Sequence, residues 1–134
     1  KIEVLPRDLG PTSLDPVLLE EDFQKYFSIN KNIIRNLEWM GALCDAKEEL
    51  YNKYSSIIHV DGTCRTQIVK DENSLTYKIL KNLKKSGSDI LVNTSFNISK
   101  DPVVFDLYDV YVNMKRLNIK FVLMDDGLYQ AKDV

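Results

Sequence analysis

Cysteine and histidine are scarce in this chain of 134 residues, and their scarcity removes several chemistries at once. The two cysteines, Cys44 and Cys64, lack the C-x-x-C spacing of zinc sites and redox motifs. Their apolar or turn-like surroundings point to buried free thiols rather than a disulfide framework. His59 is the single histidine, with no partner ligands and no obvious Ser or Cys nucleophile, so neither a triad nor a metal site is expected. Asp125-Asp126-Gly127 lacks the regular succession of ligands that a calcium loop needs and reads as a turn. No apolar run is long enough to cross a bilayer, and no charged-then-apolar leader precedes a cleavage site. A soluble, cytoplasmic protein is the expectation. Excess positive charge is missing as well: the formal net charge is −2, and aromatics do not interleave with a basic stripe, so nucleic acid is not an expected partner. Any anionic ligand has to be held by a few local groups.

What is present suits a globular protein. Hydrophobic content of 44% with 28% charged residues argues against wholesale disorder. The length predicts a single domain over residues 1–134, burying roughly two thirds of its unfolded surface around one core. An ordered-looking segment that starts at once with Lys1 is what a piece of a longer protein would show.

Along the chain, residues 6–13 are rich in turn formers and predict a loop. Asp15-Pro16 reads as a helix start, with Leu18, Leu19, Phe23, Tyr26 and Phe27 at helical spacing through about Ser28. The stretch from Ile33 to Ala46 fits a buried strand or a short helix, and a strand near Met40–Cys44 is preferred. Residues 46–54 are good helix formers. Ile57–Val60 and Thr66–Val69 look like two strands around the turn Asp61-Gly62-Thr63, forming a hairpin or a strand-loop-strand.

Asn73 or Ser74 caps a helix with Leu75, Ile79, Leu80 and Leu83 on one face, its lysines outside, and Gly87 as the stop. Asp89–Val92 is a short buried strand running into the polar loop Asn93–Asn97, and Pro102–Phe105 is extended. Asp106 caps a helix with Val110, Tyr111 and Met114 inward, and Ile119–Met124 is an apolar strand. Helices alternating with short apolar strands predict an α/β fold, a mixed or largely parallel sheet with helices packed on it.

Two polar clusters sit where a strand gives way to a loop, the place where open α/β sheets bind ligands. In His59–Gln67, Gly62 permits a tight turn, two hydroxyls can donate, and Arg65 offers a planar fork matched to phosphate or a carbamoyl oxygen. Asn93-Thr94-Ser95-Phe96-Asn97 could line an anion pocket with side chains and backbone N–H groups and no formal charge. The same residue types also make up ordinary strand-to-turn transitions.

Taken together, the clusters resemble a known family. His59–Gln67 is similar to the "HVDGTARxQ" segment of the O-carbamoyltransferases that decorate antibiotics and nodulation factors, with Cys64 in place of the usual Ala. About thirty residues on, Leu91–Asn97 resembles their "LxNTSFN" motif and Asp101-Pro102-Val103-Val104 the "xPIV" that follows. Residues 119–126 resemble the family's closing apolar strand and acidic turn, and residues 3–14 a segment near the junction of the two family domains.

The resemblance implies a carboxy-terminal, YrdC-like domain with a twisted mixed sheet. Such a domain makes carbamoyladenylate from carbamoyl phosphate and ATP, with Mg2+ accompanying the nucleotide and no metal bound by this domain itself. The partner it implies is a metal-dependent amino-terminal domain, or a separate subunit, that passes the carbamoyl group to a hydroxyl. Carried over residue by residue, Arg65 would contact carbamoyl or phosphate oxygens, and Asn93, Thr94, Ser95 and Asn97 the adenylate and its phosphate, with Arg65 and Ser95 as the catalytic pair. Thr63, Arg7 and Arg35 complete the implied binding set. The family's basic segment is eroded: Ile34 and Asn36 stand where Lys and Arg belong, and Thr12 replaces another Arg. Lys31, Arg35 and Lys100 are the cations that could compensate. A catalytically degenerate nucleotide- or carbamoyl-binding regulatory or interaction module is therefore the alternative expectation.

Overall fold

In a computed structural model the protein is described over residues 14–97, 101–124 and 126–132. The fold is mixed α/β, as the alternation of patterns predicts. Among the described residues it is built on three small sheets in place of the single sheet expected: β5-β1-β6, β2-β3-β4 and β7-β8. Residues 14–94 lie in one compact unit and the described residues from 95 onward in another.

In the first unit the segment expected to open a helix is instead a central strand, β1 (Asp15–Leu19), every residue of which is buried. A run that is apolar on both faces fits a strand covered on both sides better than a helix with one face in water. β1 pairs in parallel with β5 (Gln67–Val69) and antiparallel with β6 (Leu91–Asn93). Its alternate side chains point into separate clusters, the strand period of two. Leu18 joins Phe23, Tyr26, Phe27, Leu37, Leu50 and Ile68, while Val17 and Leu19 pack with Leu80. The helix follows, α1 (Glu20–Tyr26), with Glu20, Glu21 and Asp22 in its first turn, where carboxylates oppose the positive end of the helix dipole.

After β2 (Phe27–Ser28), the ambiguous stretch forms a 3-10 helix over Lys31–Trp39. Asn30 caps it by accepting from the Asn32 backbone N–H at 3.0 Å, and Met40, at φ 54°, ends it. The strand preferred near Met40 begins three residues later, as β3 (Leu43–Ala46).

α2 (Glu48–Tyr54) appears where helix formers predict it, but Ile57–Val60 is not a strand: a 3-10 turn over Ser55–Ile57 leads into the Gly62 turn. Nor is there a hairpin. β4 (Thr63–Arg65) pairs with β3, β5 pairs with β1, and the fully buried Thr66 carries the chain from one sheet to the other. α3 (Leu75–Lys85) is capped by Ser74, which accepts from the Tyr77 N–H at 3.2 Å, and Gly87 follows its end at φ 86°. Its outward Lys84 meets Glu21 at 2.8 Å and Asp22 at 2.7 Å. The strand expected over Asp89–Val92 forms as β6, shifted so that Asn93 closes it.

In the second unit, Asp106 caps α4 (Leu107–Arg116) by accepting from the Asp109 N–H at 2.9 Å, and Met114 is buried. Tyr111, expected to face inward, is 49% exposed, with the Lys115 ammonium 5.0 Å from its ring centre. β7 (Phe121–Met124) and β8 (Gly127–Gln130) form an antiparallel pair. Among the described residues no helix is long and apolar enough to cross a membrane.

Candidate functional site

The first polar cluster folds into a tight, internally bonded turn. The Gly62 N–H donates to the His59 carbonyl at 2.9 Å, and the His59 N–H donates to the Thr63 carbonyl at 2.9 Å. Gly62 sits at φ 83°, a conformation that favours glycine, and a Cβ there would stand 3.0 Å from the Tyr51 hydroxyl, which would have to give way. Thr63 donates its hydroxyl proton to Asp61 at 2.7 Å, and the Thr63 N–H reaches the same carboxylate oxygen at 3.0 Å. Those bonds hold the Asp61 carboxyl below its usual range. With that proton committed, Thr63 accepts from His59, whose Nδ1 lies 3.1 Å away. His59 and Thr63 thus brace the turn that delivers β4.

At the end of β4, Arg65 forms an ion pair with Asp15 at the head of β1. Both Nε, at 3.1 Å, and Nη2 converge on the same oxygen, Oδ2. The bond to Asp15 raises the Arg65 pKa further. Asp15 is 3% exposed, and its other oxygen, Oδ1, is buried without a hydrogen-bond partner. Across the antiparallel ladder Asp15 stands opposite Asn93, and directly paired residues share a face of the sheet. The Asn93 amide group donates to the Met40 sulfur at 3.2 Å. Asp15 thus has Arg65 of the first motif as its ion-pair partner and Asn93 of the second as its neighbour across the ladder.

Asp15 was not legible as a site residue, because Asp before Pro is an ordinary helix-start signal. The available sign was a carboxylate heading a run apolar on both faces, a position that obliges it to find a cation.

The remaining expected residues are placed as follows. Thr94 is exposed at the end of the first unit; Ser95 is exposed, and Asn97 is half-buried in the second unit. There Asn97 donates to the Asp101 carbonyl at 2.7 Å, and Arg116 pairs with the Asp101 carboxylate at 2.5 Å. Arg35 is exposed on the 3-10 helix. Arg7, Lys100, the side chain of Lys31 and the turn residue Asp125 lie outside the described residues. Among the described residues no group of three or more His, Cys, Asp or Glu could hold a metal. Cys44 and Cys64 face each other across β3 and β4 as buried free thiols. Burial pushes Cys44 up to about 11, and burial and the neighbouring Cys44 push Cys64 up to about 12. Neither thiol is a ready nucleophile near neutral pH.

A second buried carboxylate lies just before β6. Asp89 accepts from the Tyr26 hydroxyl at 2.8 and 2.7 Å, the Tyr54 hydroxyl at 2.9 Å, Lys25 at 2.9 Å and Lys53 at 3.1 Å. Burial alone would raise its pKa; the hydrogen bonds from Lys25, Tyr26, Tyr54 and Lys53 outweigh burial and hold the carboxyl well below the usual range. On the β5 edge of the sheet, a concavity of about 300 Å3 is lined by residues including Gln67, Val69, Ser74 and the 83% exposed Trp39. It shares Gln67 with the first motif but does not contain Arg65 or Asn93.

Comparison with known proteins agrees with the two motifs. The family profile described as the carbamoyltransferase C-terminus matches residues 11–131. The nodulation protein NolO of Bradyrhizobium diazoefficiens is 34% identical over 96 residues, covering 70% of this chain and 17% of that protein. NolNO of Sinorhizobium fredii is 31% identical over 96 residues, covering 70% of this chain and 14% of its own length. An uncharacterised protein of Methanocaldococcus jannaschii is 29% identical over 119 residues, covering 87% of this chain and 19% of that one. The chain thus spans less than a fifth of the length of each of these relatives. With a profile match that takes in nearly its whole length, the chain belongs to the carbamoyltransferase C-terminal family.

Proposed function

We propose that this domain binds carbamoyl phosphate and ATP and forms carbamoyladenylate, which a partner domain or subunit then uses to carbamoylate a hydroxyl group. The supporting observation is that Asp15 is ion-paired with Arg65 of one family motif and is the ladder partner of Asn93 of the other. In the reaction, water cleaves carbamoyl phosphate to carbamate and phosphate. A carbamate oxygen then attacks the α-phosphorus of ATP, and the bond to pyrophosphate breaks. The protein's share is to bring two anions together and hold them in line, with little covalent work of its own. Carbamoyl-phosphate-dependent exchange of labelled pyrophosphate into ATP tests the proposal. Exchange that requires carbamoyl phosphate is expected; its absence with intact, folded protein contradicts it.

The ion pair itself favours a second reading. The charge of Arg65 is matched internally by Asp15, and Arg35 stands exposed in the segment where the family's basic residues are eroded. A degenerate module that binds a carbamoyl compound or nucleotide without turnover would retain calorimetric binding of these ligands and show no exchange.

A further inference from the structure

The Arg65–Asp15 pair departs from an ordinary structural ion pair. In a paired fork each guanidinium N–H takes its own carboxylate oxygen. Here Nε and Nη2 both address Oδ2, and Oδ1 is left buried without a donor in a residue only 3% exposed. Buried acceptors are almost always satisfied, so one that is not marks a place kept for a donor. The chemistry beside it narrows the donor's identity. A cation and an anion lie side by side, with the unsatisfied oxygen of the anion next to the guanidinium. A bare phosphate facing it would meet the Asp15 charge. A primary amide is its complement, since the amide carbonyl accepts where its NH2 donates.

We infer that Asp15 is the specificity-determining residue of the site: Oδ1 accepts an N–H of the ligand's carbamoyl group while Arg65 donates to the carbamoyl oxygen, so that this end of the sheet reads an amide and not a phosphate. The inference rests on the function proposed above and deepens it by assigning the carbamoyl end of the ligand. The Arg65 side chain is 49% exposed, so its guanidinium is within reach of a ligand arriving from solvent. The phosphate is directed away from Asp15, toward solvent or other parts of the site.

Acetyl phosphate is the informative probe, because it keeps the carbonyl and the phosphate of carbamoyl phosphate and replaces only NH2 with CH3. Calorimetric titration of the intact wild-type protein with each, freshly prepared and cold, is expected to show carbamoyl phosphate bound tenfold or more tightly, since a site built to hydrogen-bond a group rejects the analogue lacking it by at least about that factor. In Asp15→Ala the preference is expected to fall to near unity, with acetyl phosphate bound at least as well as before. Asp15→Asn, which keeps an acceptor oxygen, should retain part of the preference. The comparison of the two ligands on wild-type protein stands even if a variant fails to fold. Equal affinity of wild-type protein for both ligands overturns the inference and leaves the proposed function standing. Binding of neither contradicts the proposed function, and the inference with it.

Discussion

Asp15 and Asp89 are two buried carboxylates at opposite ends of the same strand pair, and they are satisfied in opposite ways. Asp15 faces Asn93 at one end of β1 and β6, whereas Asp89 precedes β6 at the end where β1 finishes with Leu19. Both oxygens of Asp89 receive donors, from two lysines and two tyrosines carried by α1 and α2. Asp15 has donors on one oxygen only. A saturated buried charge ties elements together, and its partners are spent on the fold. A half-satisfied one keeps hydrogen-bonding capacity for something else, as polar groups at ligand sites do. On the proposed function, the comparison separates the structural end of the strand pair from the ligand-reading end, although the two residues are alike in type and burial.

The largest expected effect comes from emptying the saturated end. Asp89→Ala strands the buried Tyr26 hydroxyl and removes the anchor of Lys25 and Lys53. We expect about 3 kcal/mol lower unfolding free energy in urea, the low side for a broken buried pair because both lysines are partly exposed. A loss under about 1 kcal/mol would mean that the network adds little and would break the comparison at that end.

A smaller loss is expected at the other end. Arg65→Ala leaves the Asp15 carboxylate buried with no cation and should cost about 2 kcal/mol. Asp15→Ala combined with Arg65→Ala should then be more stable than Arg65→Ala alone, because the stranded charge has gone. Additive losses in this double-mutant cycle would show that the pair is not coupled.

Acid sharpens the contrast further. The Asp89 pKa is lowered in the folded state, so its contribution is fully present above the unfolded value of about 4 and drains away as pH falls toward the folded value. Between pH 4 and pH 3 this one group should account for about 1 kcal/mol of lost stability, and Asp89→Asn should flatten that part of the urea-derived profile. A profile unchanged by Asp89→Asn would place the acid sensitivity elsewhere. The smallest effect is expected at the surface: Lys84→Ala, which removes exposed contacts to Glu21 and Asp22, should change stability by less than about 1 kcal/mol.

How far the sequence could be read follows the same division between local and long-range interactions. Ser74 and Asp106 announce their helices because a cap acts on the backbone three residues away, and both were legible. The Gly62 turn was legible for the same reason. β1 was misread because Asp-Pro imitates a helix start, while its true state is set by coverage on both faces from partners some fifty and seventy-five residues away in the chain. The hairpin or strand-loop-strand expected around Gly62 failed because Ile57–Val60 forms no strand and Gln67–Val69 pairs with β1 instead, and pairing partners are not written in local pattern. Of the site, Arg65 and Asn93 stood out as polar residues at strand ends. Asp15 and Asp89 did not, because a buried carboxylate is recognised by its donors, and those lie 35 to 64 residues away.

The most direct measurement of the difference between the two ends is a titration of the 15N-labelled protein with carbamoyl phosphate, followed by amide chemical shifts. Large, saturable shifts are predicted at Asp15, Arg65 and Asn93, with Lys25, Tyr54 and Asp89 nearly still. Shifts centred on the Asp89 cluster, or none at Asp15 while the ligand binds elsewhere, would contradict the assignment of Asp15 as the ligand-reading carboxylate.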